Sequence, residues 1–310
     1  MDQPIRAAAV LRIDAETEAR GAVMRRAAGR GDLRRVRRGV YVGADHWQGI
    51  EPRQRNLIEI RAAIDATRSP SLVSHRSAAA LWGLPVVGAG GTEVHLTVTG
   101  DSGPDNRRTY VRHAVAGPVP ASEIDGIPVT SAARTVVDLA RTDGFLTGAA
   151  AGDAALHRGA VTPDELQAAL AAVGRGRGIR MARDVVAFVD GRSESAGESL
   201  SRVRMRELGV PAPDLQHVVR DDQGFGGRVD FGWEGLGVVG EFDGRSKYGI
   251  DEADRSASDQ LWEEKLREDR LRALGLTVVR WTWSDAWLGG PMLARLHTAG
   301  VGRMRRAPTS

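Results

Sequence analysis

The spacing of hydrophobic and polar residues changes period repeatedly along this chain, and each change predicts an element. Behind Asp14, which can cap it, a helix runs to about Ala28, and the stretch from Asp32 to Val42 then turns into a short basic strand pair. Arg53 to Thr67 reads as a helix, and a second helix from Ser74 is closed by Gly83 and Pro85. Thr92 to Thr99 alternates apolar and polar residues as a half-buried strand does. A strand from Thr109 to His113 and a helix from Ser131 to Arg141 follow. Thr162 with Glu165 three residues later forms a capping box, and Gly174 to Gly178 reads as a turn between helices. The last third gives a helix from Ser193 to Leu208 stopped by Gly209 and Pro211, with Glu198 and Arg202 at i,i+4. Strands are predicted over Leu215–Arg220, Val229–Trp233 and Val238–Gly244, then a helix from Asp259 to Leu274 capped by Ser258, then a strand from Leu276 to Trp283.

Within that last third, the pattern places carboxylates in strands that should be buried. If Glu234–Gly237 form a hairpin loop, Trp233 faces Val238 and Asp230 lies opposite Glu241. Cross-strand neighbours on one face have Cβ atoms about 5 Å apart. Asp243 shares the face of Glu241, while Val238 and Phe242 point to the other. Three like charges there need a raised pKa, an arginine or lysine partner, or a bound divalent cation. Oxygen ligands of this kind suit Mg²⁺ or Mn²⁺. The alternative is a solvent-facing hairpin whose acids pair with Arg228 and Arg245.

Composition narrows the classes. The chain has 310 residues, no cysteine and a formal net charge of +3. It is long enough for two or three domains, and it has no disulfide framework, thiolate metal site or thiol nucleophile. Nothing resembles a signal peptide or a membrane-spanning run, so a cytoplasmic protein with no membrane partner is expected. Positive charge is concentrated locally: residues 1–42 hold ten arginines against five acids. A basic helix followed by a basic hairpin is the layout of a winged helix-turn-helix. Arg25, Arg26, Arg34, Arg35, Arg37 and Arg38 are therefore candidate DNA contacts, chiefly to phosphates. A solvated arginine-rich face is the alternative. Only two lysines occur, Lys247 and Lys265. Arginine and lysine differ in shape and in how readily the pKa moves, so each lysine can mark a place where a compact ammonium is wanted. Lys265 could equally form an i,i+4 ion pair with Asp269, and Lys247 could simply be solvated. His75, Arg76, His95 and His113 lack metal-site spacing and read as packing or exposed polar groups.

Three features carry a resemblance: the Val229-Asp230-Phe231 step, the Glu241-Phe242-Asp243-Gly244 strand end, and the run from Lys265 to Trp281. In the order helix, three strands, helix, strand, with Glu198 on the first helix, they resemble the PD-(D/E)XK nuclease superfamily. The closer likeness is to its bacterial uncharacterised domains similar to very-short-patch repair endonucleases. It covers Ser193 to Trp287. The resemblance implies Asp230 and Glu241 as ligands of Mg²⁺ or Mn²⁺, with Glu198 binding directly or through water. It implies a catalytic set of Glu198, Asp230, Glu241, Asp243 and Lys265 for phosphodiester hydrolysis. The family's lysine normally lies two residues after the strand acid; here Asp243 stands there, and Lys265 is the substitute on the following helix. The Leu33 to Val42 string is similar to the wing of AbiEi-type antitoxins, DNA-binding regulators of abortive-infection systems, and the segment after it to their companion region.

The expected class is therefore α+β, in four parts. They are a winged-helix-like DNA-binding region over 1–48, a mixed α/β middle domain over 49–190, a restriction-endonuclease-like α-β-β-β-α-β domain over 191–290 and a basic tail over 291–310. DNA is the expected partner, with a cognate toxin or neighbouring-gene protein as a further one. The leading functional expectation is a DNA-binding, metal-dependent nuclease. Competing with it are an antitoxin-like regulator whose nuclease fold no longer cuts and an interaction module with neither activity.

Overall fold

A computed structural model describes residues 10–12, 18–37, 39–65, 67, 70–88, 91, 93–100, 110–221, 224–244, 267 and 269–302. The chain forms two compact units, Met1–Thr142 with Asp164–Ile179, and Asp143–Pro163 with Arg180–Ser310. Both combine helices with sheets, and the α+β class holds. The boundaries expected after residues 48 and 190 are not those of the two units. The basic N-terminal segment belongs to the same unit as the middle sheet, while a helix at 145–157 belongs with the C-terminal unit.

The first unit opens on β1 (Val10–Arg12) and α1 (Glu18–Arg30). The strand pair β2 (Leu33–Arg37) and β3 (Val40–Gly43) follows, and β1 adds to β3 to give the antiparallel order β1-β3-β2. The cap assigned to Asp14 lies outside the described residues. After α2 (Ala44–Gly49) and α3 (Pro52–Asp65) come β4 (Leu72–Val73), α4 (His75–Trp82), β5 (Val94–Thr99), β6 (Tyr110–Val115), β7 (Ala121–Ile124), β8 (Ile127–Thr130) and α5 (Ala132–Thr142). The five strands order as β6-β5-β4-β8-β7. Their core holds Ile60, Val73, Leu81, Leu96 and Val129. The β7–β8 hairpin is absent from the sequence expectation, because Pro120 and Pro128 argue against strand. It forms on Asp125 (φ +50°) and Gly126 (φ +72°), the paired left-handed residues that an Asp-Gly hairpin turn requires. Helix α7 (Pro163–Val173) begins one residue after Thr162, where the capping box predicts it.

The second unit contains α6 (Phe145–His157), α8 (Ile179–Phe188) and α9 (Ala196–Leu208). After them come β9 (Asp214–Asp221), β10 (Gly224–Trp233), β11 (Val238–Asp243) and β12 (Thr277–Thr282) in the order β12-β11-β10-β9. The β9–β10 and β10–β11 pairs are antiparallel; β11 and β12 are parallel, which demands the crossover through the helical residues 267 and 269–273. The start of that helix near Asp259 lies outside the described residues. Small residues let α6 approach α9, and buried Asp153 on α6 accepts hydrogen bonds from Ser199 (2.8 Å) and Arg202 (2.6 Å) on α9. One face of the sheet buries Leu200, Met205, Phe231, Trp233, Val238 and Trp281. The backbone comes close at several glycines: a Cβ on Gly197 would overlap the Phe242 ring, one on Gly240 the Trp281 ring and one on Gly232 the His217 ring.

The segment expected to be a basic tail begins as structure instead. The helices Trp283–Leu288 and Gly290–Thr298 follow β12, and Met292, Leu293, Leu296 and Val301 complete the core. Their i,i+1,i+4 spacing is a helical stripe that the nearby arginines obscure. Residues 303–310, the most basic part of that segment, lie outside the described residues. Among the described residues no helix is long and apolar enough to cross a membrane.

Candidate functional site

Glu198 sits in the first turn of α9, which starts there because Ser195 caps it. The Ser195 hydroxyl accepts from the Glu198 N–H (3.1 Å) and donates to Glu198 Oε1 (2.7 Å). The Glu194 N–H and the Gln216 side-chain amide both donate to Oε2 at 2.9 Å. Gln216 adopts φ +53° on β9, a left-handed backbone inside a strand, and from there its amide reaches Glu198. The carboxylate is buried and oriented from three sides.

The hairpin has the expected register, with Trp233 paired to Val238 and Phe231 to Gly240. One step further the ladder ends. The Asp230 carboxylate instead accepts the Phe242 N–H at 2.8 Å, so it sits where β10 and β11 part rather than in a flat cross-strand pair. Its pKa is raised from 3.8 to about 6, chiefly by burial and also by Glu198 and Glu241, while the Phe242 hydrogen bond and Arg267 oppose the rise. Glu198 and Glu241 are thus both close enough to repel Asp230.

Glu241 is buried, and the cations beside it differ from those expected. Arg267, from the crossover helix, donates to Oε1, and Arg280 on β12 donates to Oε2 at 2.9 Å. The parallel register sets Glu241 beside Arg280. Arg228 pairs with Glu194 at 2.7 Å, and Arg245 lies outside the described residues. Asp243, expected to join the cluster, is exposed at the strand end beside Thr282, and Glu198 is the third acid around Asp230. Lys265 and Lys247 lie outside the described residues.

The donor set is all oxygen and carries three charges, which fits a hard divalent cation. The detailed arrangement is that of an arginine-neutralised acid. Among the described residues, the group of three whose ligand atoms all lie within 4.8 Å is His75, His95 and His113 of the first unit. Neither Arg267 nor Arg280 is among the residues that the sequence reading singles out. A usable signal is present: Arg280 is the one charge in the β12 run Thr277–Thr282, and alternation puts it on the face opposite buried Val279 and Trp281.

Among the candidate DNA contacts, Arg25 and Arg26 are exposed on α1, and Arg34 and Arg35 are exposed on β2. Arg34 lies over the Trp47 ring, 5.1 Å from its centre. Arg37 turns inward: it is 8% exposed and lies over the Tyr110 ring. Burial lowers its pKa against the opposing pull of Glu59. It is a structural cation in this unit, because strand alternation and the irregularity between Arg35 and Arg37 direct it to the core. Arg38 lies outside the described residues.

No known family model matches the chain. Two uncharacterized proteins, from two strains of Mycobacterium tuberculosis, are 32% identical over 156 residues, which is 50% of this chain and 55% of theirs. The chain therefore spans about half the length of the curated relatives it matches.

Proposed function

We propose that this is a DNA-binding protein whose second unit is a metal-dependent nuclease domain acting on phosphodiesters. The observation that carries the reading is the meeting of Glu198, Asp230 and Glu241 from a helix and two strands, with the Asp230 pKa raised to about 6. Acids held together at the cost of mutual repulsion mark functional sites more often than structural ones. Mg²⁺ or Mn²⁺ would be held by Asp230 and Glu241, with Glu198 direct or through water. When bound, it would polarise the scissile phosphate and lower the pKa of the attacking water. The chain's own contribution is orientation: Ser195 and Gln216 fix Glu198, and the Phe242 N–H fixes Asp230. Exposed Arg25, Arg26, Arg34 and Arg35 would supply phosphate contacts from the first unit. A cognate toxin or neighbouring-gene protein belongs to the same proposal as a partner.

One observation favours the second reading, an antitoxin-like regulator with an inactive nuclease fold. Both Glu241 oxygens are engaged by guanidinium groups, and the family's lysine position is Asp243. The test is incubation of plasmid, linear and single-stranded DNA with the protein in Mg²⁺, Mn²⁺ or EDTA, beside Asp230→Ala and Glu241→Ala. Metal-dependent cutting lost in both variants supports the nuclease. Cutting that survives both removes this site, and salt-sensitive DNA binding with no cutting by the unaltered protein establishes the regulator.

A further inference from the structure

Three histidines far apart in the sequence meet in the first unit. His75 is the first residue of α4, His95 lies on β5, and His113 lies on the neighbouring parallel strand β6. His95 Nδ1 and His113 Nε2 share a hydrogen bond of 3.0 Å. The His75 ring stacks on His113 with centres 3.6 Å apart and stands 5.6 Å from His95. Ligand atoms of all three lie within 4.8 Å of one another. His75 also holds φ +52°, a left-handed backbone that a side-chain-bearing residue seldom adopts, so the surroundings fix it at some cost. Its Nδ1 is engaged by the Ser74 hydroxyl at 2.9 Å, which leaves Nε2 as the nitrogen for a ligand.

The cluster opens onto a cavity of about 570 Å³. His75 and His113 line it together with Arg112, Arg134, Arg141 and Arg177. The carboxylate there, Asp138, is buried and paired with Arg134 at 2.9 Å. Among its described lining residues the cavity therefore has four guanidinium groups against one acid, a lining suited to an oxyanion.

We propose that His75, His95 and His113 bind a borderline transition-metal ion of the zinc class, leaving a fourth position that faces the arginine-lined cavity and takes a phosphate-class anion. Three imidazole nitrogens select zinc or cobalt over Mg²⁺, which prefers oxygen. Nitrogens around a tetrahedral zinc stand roughly 3.3 Å apart, given metal–nitrogen bonds near 2.0 Å. The His95–His113 pair is already close to that spacing. His75 needs its ring to slide off the His113 stack so that Nε2 can join them. Three protein ligands with an open fourth position form the arrangement of reactive zinc sites, whereas structural sites are closed by four. This site is independent of the carboxylate cluster in both residues and donor chemistry.

The experiment uses the 310-residue chain stripped with EDTA and dialysed. Titration with Zn²⁺ is expected to fill one tight equivalent. Co²⁺ is expected to give the intense visible bands of a four-coordinate site, and Zn²⁺ should displace them. His95→Ala and His113→Ala lose that equivalent, while His46→Ala, His217→Ala and Asp230→Ala retain it. If the first two variants fail to fold, diethyl pyrocarbonate labelling of the wild-type protein supplies the readout: Zn²⁺ protects His95 and His113 but not His46. No tight equivalent, or one that survives loss of His95 and His113 in folded protein, overturns the metal site. Inorganic phosphate and a nucleoside monophosphate are then added to the Co²⁺ form. A spectral change with either, abolished in Arg112→Ala, supports the open position. Spectra unmoved by both overturn it.

Discussion

Replacing Asp230 with asparagine should make the protein more stable at pH 8 while removing metal binding. The folded-state pKa stands at about 6 against an ordinary 3.8. Between those values the folded chain holds a proton that the unfolded chain has released, so the cost of ionising Asp230 is absent below pH 3.8, grows up to pH 6 and is complete above it. A shift of that size corresponds to about 3 kcal/mol at roughly 1.4 kcal/mol per pH unit. Partial exposure of the group and solvent screening reduce this to about 1.5 kcal/mol. Asparagine keeps an oxygen to accept the Phe242 N–H and carries no charge to repel Glu198 and Glu241. In a unit of this size, that gain raises the melting temperature by roughly 3–6 °C. Tryptophan fluorescence reads the transition, because Trp233, Trp281 and Trp283 lie in this unit's core or packed against it. Melting should be followed for both proteins at pH 4 and pH 8, with EDTA and with Mg²⁺. The asparagine protein should melt higher at pH 8, lose that advantage at pH 4, and gain nothing from Mg²⁺ that stabilises the wild type. A lower melting point at pH 8, or the same difference at both pH values, would refute the reasoning.

Arg267→Ala should tighten Mn²⁺ binding several-fold by calorimetry, because Arg267 competes for a Glu241 oxygen; unchanged or weaker binding contradicts that competition. Gly197→Ala should destabilise the second unit by about 1–3 kcal/mol in denaturant titration, since its methyl group must displace the Phe242 ring. In DNA binding, Arg34→Ala with Arg35→Ala should flatten the slope of log affinity against log salt by about 0.9 for each phosphate no longer neutralised. Arg37→Ala should leave that slope unchanged but cost about 2 kcal/mol of stability, measured by thermal melting, because it empties a buried place over Tyr110.

Much of the second unit is legible because its elements are bounded by local chemistry. Ser195 and Gly209 delimit α9, and Gly237 (φ +63°) closes the short turn that sets the hairpin register. Asp230 and Glu241 stand out because charge in an apolar strand is costly unless something holds it. The parallel pairing of β11 with β12 is less visible, since no local signal states which distant strand fills an edge, and that pairing brings Arg280 to Glu241. For the same reason alternation alone puts Asp243 in the cluster. The cluster is closed instead by Glu198, which a helix packed through Gly197 delivers. In the first unit the strands of His95 and His113 are readable but their pairing is not, and spacing along the chain gives no hint that three imidazoles converge.

By itself the sequence determined many of the helices and strands, where most of those stop, that the class is α+β, and that a hairpin carries carboxylates needing a partner. These follow from periodicity, caps and turn residues, which act over a few positions. Tertiary structure alone decided which charges meet: Glu198 with Asp230, Arg267 and Arg280 with Glu241, Arg37 with the core, and three histidines with one another. A pair interaction depends on distance in space, and packing alone sets that distance.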